Sequence, residues 1–328
     1  MTQEIDFQTI YDDFKSSARL AWKNILSFFL GVIAIGIVLG IATVIIGGAA
    51  TFFIFSLYGF QFQTLIDTFT QWSLTFGSSM TNFSLFQGNY LAFGVLGILI
   101  LIPSMAFAFL WIGPIYGMSK EVAESGKTHA ESSLRWLRNK FFPFAIAGIL
   151  MGLIIAGPPV LLYSGIATFF GGILTGWVST LSSVAIFLWV FFSYGLLSTW
   201  LPGIANGLTI QEALQTSVDF ARKNFERVYG SLSLFLVLIL AVIGPIALWL
   251  WITTLFPFLT GGVILLGALF NPITIALMGW GVIGGGLLAI FGLPTHILTY
   301  TRIYLILSGK PGSAFTSDEP DIDIMGGM

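Results

Sequence analysis

The chain has 328 residues, of which 56% are hydrophobic and only 9% are charged, and its net charge is −2. Because a soluble domain carries about a quarter charged residues, this composition excludes an ordinary soluble protein and predicts a protein of the bilayer. The lack of a basic excess argues against nucleic acid as a partner, and the lack of cysteine excludes disulfides and thiol chemistry.

Six apolar stretches are long enough to cross a membrane as helices. A spanning helix needs about 20 mostly apolar residues. The stretches that meet this requirement are Leu26–Phe55, Leu91–Met118, Phe141–Leu162, Leu181–Ile204, Leu232–Leu255 and Ile275–Leu305. The sequence therefore predicts an all-α integral membrane protein with six transmembrane helices.

The basic residues predict how these spans are oriented. With six spans, all thirteen Lys and Arg residues fall on one side, and the loops on the opposite side carry none. Basic residues concentrate on the cytoplasmic side of membrane proteins. We therefore expect a multi-pass protein of the cell membrane with both termini in the cytoplasm.

A sequence frame recurs just before the membrane. Thr, Ile, Ser, Ala, Lys and Asn occupy the same offsets in the stretches that begin at Thr9 and Thr209, and a shorter copy begins at Thr128. Apolar residues recur every three or four positions in these stretches, which predicts cytoplasmic amphipathic helices. Each stretch begins with a helix N-terminal signature, formed by Thr9 with Asp12, Thr128 with Glu131, and Thr209 with Glu212.

We interpret this frame as an internal repeat. When the copies are aligned on their asparagines, their serines coincide: Asn24 with Ser17, Asn139 with Ser132, and Asn224 with Ser217. Each unit would contain an amphipathic helix and two spans, with a proline near the end of the second span. This predicts three degenerate two-span repeats, about residues 5–118, 119–206 and 207–308, in a transmembrane domain of residues 1–308. The alternative is chance agreement among residues that are common near membranes.

Residues 309–328 form a polar, acidic tail. Asp318, Glu319, Asp321 and Asp323 are combined there with two prolines, a composition typical of disorder. We expect a disordered cytoplasmic tail. It either solubilises the chain end or offers a docking peptide to a protein partner.

The points where the chain enters the bilayer are candidate contacts for lipid headgroups or a protein partner. Juxtamembrane Lys and Arg side chains attract anionic lipids, and the residues at these points are Lys23, Asn24, Arg138, Asn139, Lys223 and Asn224. His296 and Arg302 are further candidates near the end of the last span. The simpler interpretation is that all of these residues anchor helices and set topology.

Paired glycines and one sequon complete the candidate sites. Small residues four apart allow helices to approach closely, and such pairs are Gly36 with Gly40, Gly148 with Gly152, and Gly281 with Gly285. They predict packing within one bundle or, for the first pair, an oligomer contact. Asn82-Phe83-Ser84 is a glycosylation sequon, although such triplets also arise by chance.

The sequence contains no motif typical of a catalytic site. The proposed spans contain no Asp, Glu or Lys, and the two histidines of the chain are far apart in sequence. No nucleophile elbow is present, and metal chemistry would need a cluster of His or carboxylate ligands. We therefore expect no catalytic residue, no metal, no cofactor and no enzymatic activity.

The repeated pattern of Ser, then Lys or Arg, then Asn before a spanning pair resembles a set of prokaryotic multipass membrane families. These families are of unknown function and are related to the membrane domain of glycerophosphodiester phosphodiesterases. The resemblance implies the architecture of a helical membrane domain. It does not imply phosphodiesterase activity, because this sequence has no soluble domain of that kind.

These observations lead to two functional hypotheses. The first is a non-catalytic membrane protein that acts as a scaffold, a lipid-interacting protein or an accessory subunit of a membrane complex. The alternative is a transporter or channel for an uncharged or lipid-like solute. Membrane lipids are the expected partners in the first case, and a protein partner would bind the cytoplasmic helices or the acidic tail.

Overall fold

The structure is a computed structural model that describes residues 7–57, 67, 70–71, 90–170, 176–250, 272–310 and 312–316. Within these residues the chain is helical and contains no strand, which confirms the all-α prediction. The sequon at Asn82 and the acidic residues of the tail lie outside the described residues.

The described helices, numbered in chain order, range from 4 to 41 residues in length. They are α1 (Phe7–Lys23), α2 (Ile25–Leu57), α3 (Tyr90–Ser125), α4 (Ala130–Phe170), α5 (Gly176–Leu197), α6 (Trp200–Ala205), α7 (Ile210–Lys223), α8 (Phe225–Leu250), α9 (Pro272–Leu287), α10 (Leu293–Leu307) and α11 (Ser313–Thr316). A π-helical turn, Leu288–Gly292, joins α9 to α10.

Six helical segments are long and apolar enough to cross a membrane, which confirms the predicted number. They are Ile25–Ala50, Gly94–Ser125, Ala130–Phe170, Gly176–Ala205, Phe225–Trp249 and Ala276–Leu307. The short helices α1 and α7 precede two of them directly.

An asparagine separates each of these short helices from its span. The Asn24 side chain donates to the Leu20 carbonyl over 3.0 Å, and the Asn224 side chain donates to the Phe220 carbonyl over 3.2 Å. These bonds cap the carbonyls that a helix end leaves without partners. The chain therefore changes direction between a mixed-polarity helix and an apolar one.

A third break, inside α4, lies one residue later than the alignment on Asn139 predicts. Helix α4 continues through Asn139 and bends at Lys140, where φ is −122° and ψ is 22°. Asn224 has a similar backbone, with φ −128° and ψ 48°. Lys140 therefore occupies the position that asparagine holds in the other two breaks.

The three predicted helix starts differ in the structure. Thr209 forms the predicted capping box, since its hydroxyl accepts from the Glu212 backbone N–H and the Glu212 carboxylate accepts from the Thr209 backbone N–H. Thr9 instead lies inside α1, which begins at Phe7. The Thr128 hydroxyl donates to Glu121 over 2.9 Å, so the predicted box with Glu131 is replaced by a bond to the preceding helix.

The described helices belong to two compact units. Among the described residues, the first unit comprises residues 7–32, 113–139, 195–250, 272–310 and 312–316, and the second comprises residues 33–57, 67, 70–71, 90–112, 140–170 and 176–194. In the first unit, α1 packs against α8 and α10, while α7 packs against α6 and α8. The first helix of the chain therefore lies against the last span.

The buried face of α1 differs from a simple apolar stripe. Ile10, Leu20 and Ala21 are buried, as an amphipathic helix requires, but Asp13 and Ser17 are buried with them. In α7 the buried residues are Ala213, Ser217 and Ala221. A carboxylate in α1 thus occupies the place that a methyl group occupies in α7.

The predicted glycine pairs divide between close contacts and open space. A Cβ atom on Gly148 would collide with Phe109, and one on Gly152 would collide with Met105. On Gly36 it would lie 3.4 Å from Trp111, and on Gly281 it would lie 2.7 Å from Ile246. A Cβ on Gly40 or Gly285 would meet nothing within 4 Å, so each of those two pairs has a single glycine at a contact.

Candidate lipid-headgroup site

A cavity of about 450 Å³ lies in the first unit, where three distant segments of the chain meet. The last turn of α1 contributes Leu20 and Lys23, and α11 contributes Ser313 and Ala314. Residues 124–127, at the end of α3 and in the loop that follows, form the remaining wall. The cavity therefore lies beside the break between α1 and the first span.

The side chain of Asn24 positions the loop that lines this cavity. Its Nδ2 donates to the Gly126 carbonyl over 3.0 Å, and its Oδ1 accepts from the Thr128 backbone N–H over 3.1 Å. Gly126 has a φ of +76°, the left-handed conformation in which glycine commonly ends a helix. One amide side chain thus joins the end of α1 to the turn between α3 and α4.

The cavity wall carries more positive than negative charge. Lys23 and Lys127 are both exposed, and Glu124 lies 3.7 Å from Lys120. The Ser125 hydroxyl donates to backbone carbonyls. The lining of the cavity therefore includes two lysines, Lys23 and Lys127, and one carboxylate, Glu124.

Glu121 joins the two helices on either side of this loop, α3 and α4. Its carboxylate accepts from the Thr128 hydroxyl, from the Trp136 indole N–H over 2.8 Å, and from Arg135 over 2.5 Å. It therefore holds the end of α3 against the start of α4. Trp136 also contacts Gly117, where a Cβ atom would collide with the indole ring.

A buried ionic cluster closes α1 against the last span. Arg227, in the first turn of α8, donates to both carboxylate oxygens of Asp13 over 2.6 and 2.8 Å. Arg302 of α10 approaches the same carboxylate, with its Nε 2.9 Å from Oδ1. The Asp13 side chain is only 2% exposed, so this carboxylate serves helix packing.

The chain after α10 folds back onto the first unit. Gly312 lies against the Ala123 carbonyl, and the Ser313 hydroxyl donates to the Glu124 carbonyl. Ala314 and Phe315 are buried. Residues 312–316 therefore pack through the apolar side chains of Ala314 and Phe315, and the disorder expected of the tail as a whole stays a prediction.

Of the predicted headgroup contacts, Lys23 lines the cavity, and Asn24 bonds to the loop that forms its wall. Arg138, Asn139 and Lys223 are exposed at other positions. Asn224 is half-buried and its side chain bonds within its own helix. The predicted residues thus fall into one group beside a cavity and several separate surface positions.

His296 and Arg302 lie in different surroundings, although both are on α10. The His296 ring packs edge-on against Phe235, with centroids 4.5 Å apart, and against Tyr300 at 4.9 Å. Arg302 belongs to the Asp13 cluster and has the Phe315 ring 4.9 Å from its Cζ. His296 is therefore part of an aromatic packing layer.

The second unit contains a cavity of a different character. It has a volume of about 390 Å³ and is lined mainly by apolar groups: Tyr90, Gly94, Pro159, Val160, Tyr163, Ser164, Ala167 and Ile186. Its described lining includes no charged side chain. Its chemistry suits an apolar chain or ring.

Sequence reasoning missed Asp13, Glu121 and Arg227. A signal for Asp13 was present, since it lies three residues after Ile10 and four before Ser17, on one helical face. For Glu121 the sequence contains no comparable signal, because its partners lie across a turn whose path depends on Asn24.

Comparisons of the chain with protein-family models, with curated proteins and with solved structures find no match. Among the described residues, no group of three His, Cys, Asp or Glu side chains is placed to hold a metal ion. The functional argument therefore rests on the geometry and charge of the site.

Proposed function

We propose that this chain is a non-catalytic multi-pass membrane protein that binds anionic lipid headgroups at the cavity lined by Lys23 and Lys127. In this role it acts as a lipid-interacting scaffold in the cell membrane. The observation that carries the proposal is a cavity of about 450 Å³ with two lysines, placed directly beside the start of a membrane span.

The position of the cavity supports this ligand. Lys23 is the last residue of α1, and the span begins at Ile25. The cavity is therefore expected at the depth of the lipid headgroups, where a Lys or Arg contributes about 1 kcal/mol of attraction to anionic lipid. Asn24 and Gly126 hold the two walls together, so the lysines project from a fixed frame.

The proposal includes the three-repeat architecture. Its support is a common burial pattern: Ser17, Ser133 and Ser217 are fully buried, as are Phe28, Phe144 and Val228. Each set follows the same spacing, with the second member 116 residues and the third 200 residues after the first. The same spacing relates Asn24, Lys140 and Asn224, so we replace the Ser132 register with Ser133.

The proposed orientation, with the cavity and both termini in the cytoplasm, is tested by labelling. The chain has no cysteine, so single cysteines at Lys310 and Trp177 give unique sites. A membrane-impermeant maleimide should label Trp177→Cys in intact cells and Lys310→Cys only after permeabilisation. Labelling of both from outside would contradict the orientation.

Headgroup binding is tested by lipid retention. The wild-type protein in nanodiscs that contain phosphatidylglycerol and phosphatidylcholine should retain phosphatidylglycerol preferentially, as measured by native mass spectrometry. Lys23→Gln with Lys127→Gln should weaken that preference by about thirtyfold, from about 1 kcal/mol for each lysine. Arg138→Gln with Lys223→Gln, which removes two exposed positive charges at other span entries, is the matched control.

The lipid test can contradict the proposal in two ways. If the wild-type protein shows no preference for phosphatidylglycerol, headgroup binding is wrong. If Arg138→Gln with Lys223→Gln reduces retention as much as Lys23→Gln with Lys127→Gln, retention reflects total charge and the cavity has no particular role.

The apolar cavity of the second unit favours a second candidate, a carrier of lipid-like solutes. A pocket of about 390 Å³ lined mainly by apolar side chains falls in the size range of small-molecule sites. Saturable uptake of an uncharged lipid analogue by proteoliposomes, lost in Ala167→Trp, would favour this candidate over the scaffold.

A further inference from the structure

The guanidinium group of Arg302 lies beneath an aromatic cover. The Phe315 ring centroid is 4.9 Å from Arg302 Cζ, and Phe315 itself is only 6% exposed. Phe315 belongs to α11, a helix of four residues. A helix this short has no intrinsic stability, so its position depends on the contacts that it makes.

The charged side chains near Phe315 carry more positive than negative charge. Arg227 uses both carboxylate oxygens of Asp13, and Arg302 reaches the same carboxylate with its Nε. One buried carboxylate thus faces two guanidinium groups. Asp12 also attracts Arg302, but Asp12 is exposed on the outer face of α1.

Arg302 is also short of hydrogen-bond acceptors. Its Nη1 is buried and makes no hydrogen bond among the described residues. Buried polar groups normally have partners, and an exception calls for an explanation. A guanidinium pairs well with the oxygens of a phosphate because its N–H groups form a planar fork.

We propose that Arg302, flanked by Arg227, is a latent site for the phosphate group of an anionic lipid, covered by Phe315. This inference rests on the proposed function and adds a second headgroup position to it. The two positions share α11, since Ser313 and Ala314 line the Lys23 cavity while Phe315 covers Arg302. Displacement of one helical turn would therefore open the Arg302 position.

The test removes the cover and follows the affinity for phosphate. In nanodiscs that contain phosphatidylglycerol and phosphatidylcholine, Phe315→Ala should retain phosphatidylglycerol about tenfold more strongly than the wild-type protein, because a partly desolvated cation–π contact of this size no longer competes. Its retention of phosphatidylcholine should not increase. Phe142→Ala, an exposed aromatic residue elsewhere on the chain, is the control and should leave binding unchanged.

A second substitution locates the site. In the Phe315→Ala background, Arg302→Lys keeps the positive charge but loses the planar fork, and it should abolish the tenfold gain. Inorganic phosphate, added as a soluble competitor, identifies the source of the ligand. Competition at millimolar phosphate would support the Arg302 site and assign it to free phosphate, whereas resistance would support the lipid.

Two results would overturn the inference. One is an unchanged phosphatidylglycerol affinity in Phe315→Ala. The other is a gain that survives Arg302→Lys. Either result leaves the proposed function intact as long as the wild-type protein retains phosphatidylglycerol through Lys23 and Lys127, so the two proposals fail separately.

Discussion

Asp13 and Arg227 lie 214 residues apart in the chain and meet through two hydrogen bonds of 2.6 and 2.8 Å. The contact joins α1 to the start of α8, and Arg302 joins the same carboxylate to α10. Burial of such a cluster costs desolvation energy that the attraction between the charges offsets only while each partner is present. The cluster is therefore a sensitive point of the fold.

The first prediction concerns the loss of the shared carboxylate. Asp13→Asn should destabilise the protein by about 3–5 kcal/mol, because it leaves two buried guanidinium groups without a counter-charge. The loss should appear as a lower midpoint of thermal unfolding in detergent. Asp12→Asn, one residue away but exposed, should leave the midpoint nearly unchanged.

A compensating variant makes this prediction specific. Asp13→Leu combined with Arg227→Met and Arg302→Met should recover most of the stability, since well-packed apolar residues often replace a buried ionic cluster at no cost. If Asp13→Asn is as stable as the wild-type protein, the cluster contributes nothing to the fold.

The second prediction concerns the two asparagines at the helix breaks. Asn24→Ala should destabilise the first unit by about 2 kcal/mol, because the Gly126 carbonyl and the Thr128 N–H both lose a partner. Amide exchange at Thr128 should accelerate accordingly. Asn224→Ala loses only a bond within its own helix and should have a smaller effect; equal effects would argue against a special role for Asn24.

The third prediction separates two glycines that the sequence does not distinguish. Gly148→Ala should destabilise the protein by about 1–3 kcal/mol, because the new Cβ collides with Phe109 near its backbone. Gly40→Ala enters open space and should stabilise the helix by up to about 1 kcal/mol. Thermal unfolding of both variants is the measurement, and the same shift for both would contradict the packing at Gly148.

The fourth prediction concerns pH and the start of α7. The Glu212 carboxylate accepts a hydrogen bond from the Thr209 backbone N–H and a second one from the Thr209 hydroxyl. These bonds, the backbone bond most of all, lower the pKa of Glu212 below its ordinary value of 4.5. The stabilisation is therefore complete above pH 4.5 and is lost as the pH falls through the lowered pKa. Amide protection in the first turn of α7 should decrease over that interval.

A matched variant isolates this pH effect. Glu212→Gln cannot titrate, so its protection in the first turn should not respond to the same acidification. If the wild-type protein keeps full amide protection at a pH below the lowered pKa of Glu212, the capping box contributes nothing to the stability of α7.

The spans, their number and the helix start at Thr209 followed from local signals in the sequence. Apolar length and capping chemistry depend on neighbouring residues, and both leave a clear pattern. The likeness between the stretches at Thr9 and Thr209 was visible because the spacing from Thr to Asn is identical in the two copies.

The remaining features depend on contacts between distant segments. Asp13 shares a helical face with Ile10 and Ser17, but that position does not identify its partners, and its burial depends on Arg227 and Arg302. The bend in α4 lies at Lys140, one residue after the predicted position at Asn139. No capping residue in the sequence marks Lys140 as the position of the bend. The docking of Phe315 depends on Arg302, 13 residues earlier in the chain.

The packing of α1 against α8 and α10 has a consequence for biosynthesis. A ribosome delivers Asp13 first, but Arg227 and Arg302 emerge after most of the membrane domain has been made. Until then α1 must remain at the bilayer surface with its carboxylate solvated. The final fold is thus completed after insertion, when segments 214 residues apart in the chain come into contact, and contacts of such sequence separation form slowly.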